Sequence, residues 1–171
     1  MGLLNSVGKE TVYIETSIVS YLVARPTRDL ILNARQQLTV QWWERKAQDF
    51  TLYTSSLVLD EAKKGDAGAA AKRMHALAGL PLIPISAEAI ELAELLIQRH
   101  ALPAKAADDA LHISIASLHG IHYLLTWNCR HIANVHMRKS IERTCRAAGY
   151  EPPALCTPEE LGADLLTEEP D

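Results

Sequence analysis

The stretch Ala107-Asp108-Asp109-Ala110-Leu111-His112-Ile113-Ser114-Ile115-Ala116 decides the fold class of this chain. Leu111, Ile115 and Leu118 recur at spacings of four and three beside several alanines, a period that predicts a helix. Apolar residues cover nearly the whole circumference of this helix, so we expect it to be buried against a sheet.

Two adjacent carboxylates in the first turn of that helix need an explanation. For Asp108, we favour a charge that complements the positive end of the helix dipole. Asp109 shares a face with His112, Ile113 and Ala116, and an unpaired charge there is costly. Coordination of a cation, or a part in chemistry, is therefore as good an explanation for Asp109 as the helix dipole.

The composition predicts one domain. The chain has 171 residues, of which 48% are apolar and 22% charged, as in ordinary globular proteins. We assign residues 11–162 to the domain, 1–10 to a lead and 163–171 to an acidic tail. No apolar run approaches the ~18 residues of a membrane span, and no secretory segment is recognisable. Three cysteines, an odd number, favour reduced thiols and a cytoplasmic location.

Charge is unevenly distributed along the chain. The net charge is −4, but residues 151–171 contain seven acids and no lysine or arginine. Residues 1–150 therefore have 17 basic against 14 acidic residues, a net charge of +3. If several of these acids surround a metal, the remaining surface is basic, which suits a phosphate-bearing substrate.

Strands and helices are predicted to alternate. Strands are expected at Thr11–Ile14 and at residues 51–54, 82–85, 122–126 and 152–156. Helices are expected, in chain order, from residue 18, over 30–50 and 57–64, from residue 66, over 87–100 and 102–118, around 134–135, over 141–148 and from residue 157. Pro84 indicates that the third strand lies at an edge. This alternation predicts a three-layer α/β/α sandwich with a central parallel sheet.

Polar residues cluster where this fold would place its site, at the carboxyl ends of the strands. Glu15 follows the first strand and Asn128 the fourth, although Glu15 could also be a solvated strand-end residue. Glu61 either pairs with Lys64 at the surface or points back towards Glu15. With Asp109, these side chains would form an all-oxygen site suited to Mg²⁺ or Mn²⁺. Such ions activate water for attack on a phosphodiester.

Four segments resemble the signatures of the PIN domain, and more narrowly the VapC-like branch of bacterial toxin–antitoxin ribonucleases. They are Tyr13-Ile14-Glu15-Thr16-Ser17, Val58-Leu59-Asp60-Glu61, Asp109-Ala110-Leu111-His112-Ile113 and Leu125-Thr126-Trp127-Asn128-Cys129-Arg130-His131. The likeness extends from about residue 12 to 161 in the family's order. It implies a parallel five-stranded sheet flanked by helices.

The resemblance also implies which residues act. Its four acidic positions fall on Glu15, Glu61, Asp109 and Asn128, as ligands of Mg²⁺ or Mn²⁺ and catalytic residues in RNA cleavage. Ser17 and Thr126 match the polar residues beside the cluster. The chain departs from the family twice: Glu15 replaces the usual aspartate and is one methylene longer, and Asn128 is an amide without negative charge.

The sequence thus predicts a metal-dependent endoribonuclease of the VapC type, with RNA as substrate. Lys105 and Arg130 are expected to bind the phosphates of the substrate. His112 is expected to contact the ligand residues without being a ligand itself. The resemblance further implies a homodimer and an antitoxin peptide that covers the groove. The alternative is a PIN-fold RNA-binding or regulatory module whose catalysis is weakened by the two departures. Cys129, His131 and His136 are too few and too irregularly spaced for a structural zinc site.

Overall fold

Five parallel strands form the centre of the protein, for which the computed structural model describes residues 8–163. Residues 1–7 and 164–171, most of the predicted lead and tail, lie outside the described residues. The strands are β1 (Thr11–Ile14), β2 (Thr51–Ser55), β3 (Leu82–Ile83), β4 (Tyr123–Leu125) and β5 (Ala154–Cys156). The helices are α1 (Thr16–Val23), α2 (Leu30–Gln41), α3 (Ser56–Ala62), α4 (Ala67–Leu77), α5 (Ala87–Gln98), α6 (Ala107–Leu118) and α7 (Val135–Ala147).

The sheet order is β3-β2-β1-β4-β5, and all neighbouring strands are parallel. Ile14 lies beside Leu125 in the register of β1 and β4, so both strands end at the same level. The chain leaves β1 towards β2 on one side, and β4 lies on the other. The carboxyl ends of β1 and β4 therefore flank the point at which the strand order reverses, where open α/β sheets form their sites.

The helices pack in two groups, as a three-layer α/β/α sandwich requires. In one group, α1 contacts α2, α3 and α4; in the other, α5 contacts α6 and α7. Seven residues of α6 are buried, which confirms the burial expected from its apolar circumference. Among residues 8–163, no helix combines the length and apolarity needed to cross a membrane.

Most predicted elements are confirmed, and the differences have local causes. β3 is short, lies at the edge as Pro84 indicated, and stops before that proline. A single helix, α7, replaces the two predicted helical segments around 134–135 and 141–148. The predicted long second helix begins as α2 and continues through a π-helical turn (Trp42–Lys46) and a 3₁₀ turn (Ala47–Asp49).

The helix predicted from residue 157 was wrong. Thr157 and Glu160 do form the reciprocal hydrogen bonds of a capping box, at 3.3 and 3.4 Å. The chain, however, makes only turns there, because Gly162 adopts a positive φ of 95° and the Ala163 amide closes back on Pro158 O.

Candidate active site at the carboxyl edge of the sheet

Glu15 is buried at the end of β1, with 5% of its surface exposed, so the alternative of a solvated residue was wrong. Its backbone caps α1, and its carboxylate oxygen Oε2 accepts the Ser17 amide at 3.1 Å. The helix therefore begins at Thr16, two residues before the predicted start at residue 18. A longer acid reaches back to its own helix, which explains how the extra methylene of Glu15 is accommodated.

Ser17 and Thr126 lie beside Glu15, as predicted. Both hydroxyls donate to Glu15 Oε2, the Thr126 hydroxyl at 2.7 Å. Each hydroxyl also accepts a backbone amide of the turn after β4, from Trp127 to Ser17 Oγ at 2.8 Å and from Asn128 to Thr126 Oγ1 at 2.9 Å. Three donors thus fix one oxygen of Glu15. The other oxygen, Oε1, accepts no hydrogen bond from residues 8–163.

Glu61 points towards the sheet edge and not towards Lys64. Its Oε1 lies 2.6 Å from His112 Nε2, and 24% of its side-chain surface is exposed. Burial raises the pKa of Glu61, but the hydrogen bond and the charge of His112 lower it, so the net pKa lies below its ordinary value. Glu61 therefore carries a negative charge at neutral pH.

His112 is buried, and both of its ring nitrogens lie within hydrogen-bond distance of a partner. Only 1% of its surface is exposed, and Nδ1 lies 2.7 Å from the hydroxyl of Tyr13, which in turn lies 2.8 Å from Ser55 Oγ. Burial lowers the pKa of His112, but the hydrogen bond to Glu61 and the charges of nearby acids raise it above its ordinary value.

Asp109 is held by two hydrogen-bond partners, Asn128 and His131. Its Oδ1 accepts the amide Nδ2 of Asn128 at 2.9 Å, and its Oδ2 lies 2.7 Å from Nδ1 of His131. Asn128 Oδ1 accepts the backbone amide of His131 at 3.0 Å, so the three residues form a closed set. His131 was considered only as a zinc ligand, although its place in the Asn128-to-His131 motif, one turn after Asn128, could have indicated this role.

The structure brings together part of the predicted ligand set. One ligand atom each from Glu15, Glu61 and His112 lies within 4.8 Å of the others. Asp109 is not in this group, but its charge still contributes to the pKa of His112. Cys129, His131 and His136 are not brought together as a ligand group in the part of the chain that the structure describes.

A buried and poorly paired hydroxyl lies beside the cluster. Thr16 follows Glu15 and is 9% exposed, and its Oγ1 forms no hydrogen bond of good geometry among the described residues. A weak hydrogen bond to Glu61 contributes to lowering the pKa of that carboxyl. A buried polar atom with so poor a partner leaves room for a further ligand. Two carboxylates, an imidazole and this hydroxyl are chemically suited to a divalent metal.

Trp127 fixes the turn that carries Thr126 and Asn128. Its ring is 7% exposed and donates Nε1 to Thr39 Oγ1 at 2.7 Å. Arg35 Cζ lies 5.3 Å from the ring centroid, and the ring of Tyr21 lies 5.9 Å away. Contacts from α1 and α2 thereby anchor a loop that follows β4.

The two expected phosphate contacts lie on the surface. Lys105 is exposed in the 3₁₀ turn Ala104–Ala106 before α6, and Arg130 is exposed two residues after Asn128. Neither side chain forms an ion pair with any of residues 8–163. Both cations are available to an anionic ligand, and their role stays a prediction.

Comparison with known proteins places the fold. No protein-family model and no curated protein sequence match this chain. Its structure is similar to VapC20 of Mycobacterium tuberculosis, a toxin that cleaves the sarcin–ricin loop, with a TM-score of 0.56 and 19% identity over 71% of this chain and 93% of that one. It is also similar to VapBC2 of Rickettsia felis, solved bound to a DNA fragment from their promoter, with a TM-score of 0.51 and 21% identity over 75% and 92% of the two chains.

The chain therefore has the PIN-domain fold. More narrowly, the fold is VapC-like, as the four sequence segments predicted.

Proposed function

We propose that this protein is a metal-dependent endoribonuclease of the VapC toxin type, which hydrolyses phosphodiester bonds of RNA. The observation that carries the proposal is the grouping of Glu15 and Glu61 with His112, whose ligand atoms lie within 4.8 Å of one another at the reversal point of a VapC-like sheet. Asp109 lies outside this group, but its charge still acts on His112. In open α/β sheets, ligands bind outside the carboxyl ends of the strands at this reversal point.

In this proposal Glu15, Glu61 and Asp109 hold Mg²⁺ or Mn²⁺. Such an ion, when bound, polarises the phosphate and lowers the pKa of water. Ser17 and Thr126 keep one oxygen of Glu15 fixed and leave the other without a hydrogen bond among residues 8–163. Asn128, which we predicted as a ligand, orients Asp109 through its amide nitrogen. Lys105 and Arg130 hold the phosphates of the RNA.

The proposal includes partners and location. VapBC2 of Rickettsia felis was solved with promoter DNA, which favours a cognate antitoxin for this chain as well. The exposed side chains of Leu30, Ile31 and Leu32, at the start of α2, offer such a peptide an apolar contact. A homodimer and a cytoplasmic location complete the proposal.

The alternative function is an RNA-binding or regulatory module with weakened catalysis. One observation favours it: both oxygens of Asp109 are engaged by Asn128 and His131. A cation at Asp109 must then share these oxygens with two hydrogen-bond partners. The lost charge at Asn128 further reduces the attraction for a cation.

Cleavage of mixed structured RNAs distinguishes the two functions. The wild type is assayed after chelation and again after Mn²⁺ or Mg²⁺ is added back, next to Glu15→Gln and Glu10→Gln. Glu10 is the matched control, because it is an exposed acid just before the same strand that Glu15 follows.

We expect metal-dependent cleavage by the wild type and Glu10→Gln, and none by Glu15→Gln. Equal cleavage by all three proteins would assign the activity to a contaminating nuclease. No cleavage by a correctly folded wild type would favour the binding module.

A further inference from the structure

The nitrogen of a histidine lies inside the acidic cluster. His112 Nε2 is 2.6 Å from Glu61 Oε1, and the ligand atoms of Glu15, Glu61 and His112 all fall within 4.8 Å of one another. Two ligands that are each bonded ~2.0–2.2 Å from one ion are at most about 4.4 Å apart. Small shifts of these side chains would therefore place all three atoms around one ion.

Tyr13 and Ser55 hold the ring nitrogen of His112 that does not contact Glu61. The Tyr13 hydroxyl bonds Nδ1 at 2.7 Å and Ser55 Oγ at 2.8 Å, and Tyr13 is fully buried. Without a metal, Nε2 donates to the Glu61 carboxylate, which can only accept, and a bound metal ion would replace that proton. Nδ1 would then donate a hydrogen bond to the Tyr13 hydroxyl, which donates to Ser55 Oγ, and the lone pair of Nε2 would face Glu61. Metal-binding histidines are oriented in this way by a partner on the other ring nitrogen.

A second, independent observation points to a ligand in the same place. The Thr16 hydroxyl is buried next to Glu61, makes only a weak hydrogen bond to that carboxyl, and has no other partner among residues 8–163. The unengaged Oε1 of Glu15 adds an acceptor. A poorly paired hydroxyl and a carboxylate oxygen without a hydrogen bond, both beside the imidazole, indicate a place for a bound group.

We propose that His112 is a direct nitrogen ligand of the metal, together with Glu15 and Glu61. This rests on the metal site of the proposed function and goes further, because it names a mixed nitrogen–oxygen ligand set. Imidazole favours Mn²⁺, Zn²⁺ and similar ions over Mg²⁺, which takes oxygen ligands. The protein therefore binds Mn²⁺ and Zn²⁺ in preference to Mg²⁺ through His112.

Pulsed electron paramagnetic resonance of bound Mn²⁺ tests this assignment without any activity. The wild type is compared with His112→Gln and with the matched control His131→Gln, which removes another histidine bonded to a carboxylate of the site. We expect a coupling from a bound nitrogen in the wild type and in His131→Gln, and its loss in His112→Gln. Calorimetric titration is expected to give Mn²⁺ at least about tenfold tighter than Mg²⁺ in the wild type, and a smaller ratio in His112→Gln.

The outcomes separate this inference from the proposed function. Mn²⁺ that binds without nitrogen coupling, or coupling that persists in His112→Gln, would overturn the role of His112 and leave a metal site of carboxylates. No binding of either ion would overturn both. If His112→Gln does not fold, the spectrum of His131→Gln decides, because no other histidine of the described chain belongs to the acidic group.

Discussion

Asn128 holds Asp109 through a hydrogen bond of 2.9 Å from its amide nitrogen Nδ2 to Oδ1 of the acid. The carbonyl oxygen of the same side chain accepts the backbone amide of His131, whose ring bonds the other oxygen of Asp109. An amide can make both contacts, because it offers a donor and an acceptor at once. A carboxylate at position 128 would repel Asp109 instead. The amide at position 128, which replaces a fourth carboxylate, thus positions Asp109.

Replacing Asn128 by aspartate tests this relationship. Asn128→Asp removes the donor and sets two carboxylates about 2.9 Å apart, so we expect a loss of about 1–3 kcal/mol in the free energy of unfolding without metal. Urea denaturation at neutral pH measures it. Asn134→Asp is the control, because that side chain also accepts a backbone amide, of His136, but faces no acid. A stability equal to that of the wild type would contradict the role of Asn128.

The adjacent tryptophans Trp42 and Trp43 differ in burial, as helical geometry requires. Trp42 is fully buried, stacks on Phe50 with ring centroids 5.9 Å apart, and donates Nε1 to Leu161 O at 3.2 Å. We expect Trp42→Ala to lower the free energy of unfolding by about 3–5 kcal/mol. Trp43→Ala should cost about half of that or less, since its ring is partly exposed. Equal losses in chemical denaturation would refute this assignment of the core.

The pair of Glu61 and His112 predicts how stability depends on pH in the presence of a chelator. The pKa of His112 is raised above its ordinary value of 6.5, so its contribution is complete below that pH and is lost as pH rises through the pKa of the folded state. The pKa of Glu61 is lowered below 4.5, so its contribution is present above that pH and is lost as pH falls through its folded-state pKa.

The stabilisation from this pair is therefore greatest between about pH 4.5 and 6.5. Thermal melts from pH 4 to 9 should show the largest difference between wild type and His112→Gln in that interval. A difference that does not change with pH would argue against the pair.

The three cysteines should differ sharply in reactivity. Cys129 is exposed, whereas Cys145 and Cys156 are buried. Burial raises the pKa of Cys145, and it raises that of Cys156 to about 12, so neither thiol ionises at pH 8. We expect iodoacetamide to modify one thiol in the native protein and all three after unfolding, as counted by mass spectrometry. Cys129→Ser should abolish native labelling; rapid native modification of Cys156 would contradict the fold around β5.

Local patterns were enough to predict much of the fold. β1 was predicted with its observed bounds, because β-branched and aromatic residues fill Thr11–Ile14. Pro84 correctly indicated the edge strand. The orientation of Glu61 could not be predicted, because spacing along a short helix does not say which face meets the sheet. The bond between His131 and Asp109 was missed for a related reason: it joins residues 22 positions apart through a loop that only tertiary packing shapes.

The most direct test of a metal-dependent nuclease at this sheet edge is the rate of RNA cleavage with Mn²⁺ by Asp109→Asn and Asp108→Asn. Asp108 is exposed and Asp109 is half-buried beside Asn128, so the two variants remove the same charge from neighbouring residues. We predict that Asp109→Asn lowers the cleavage rate by more than about 100-fold, whereas Asp108→Asn keeps the wild-type rate. A loss of this size exceeds the roughly 10–100-fold that is typical when a residue next to a metal ligand is replaced. Cleavage by Asp109→Asn at the wild-type rate, with correct folding verified, would contradict a metal-dependent nuclease site at Asp109.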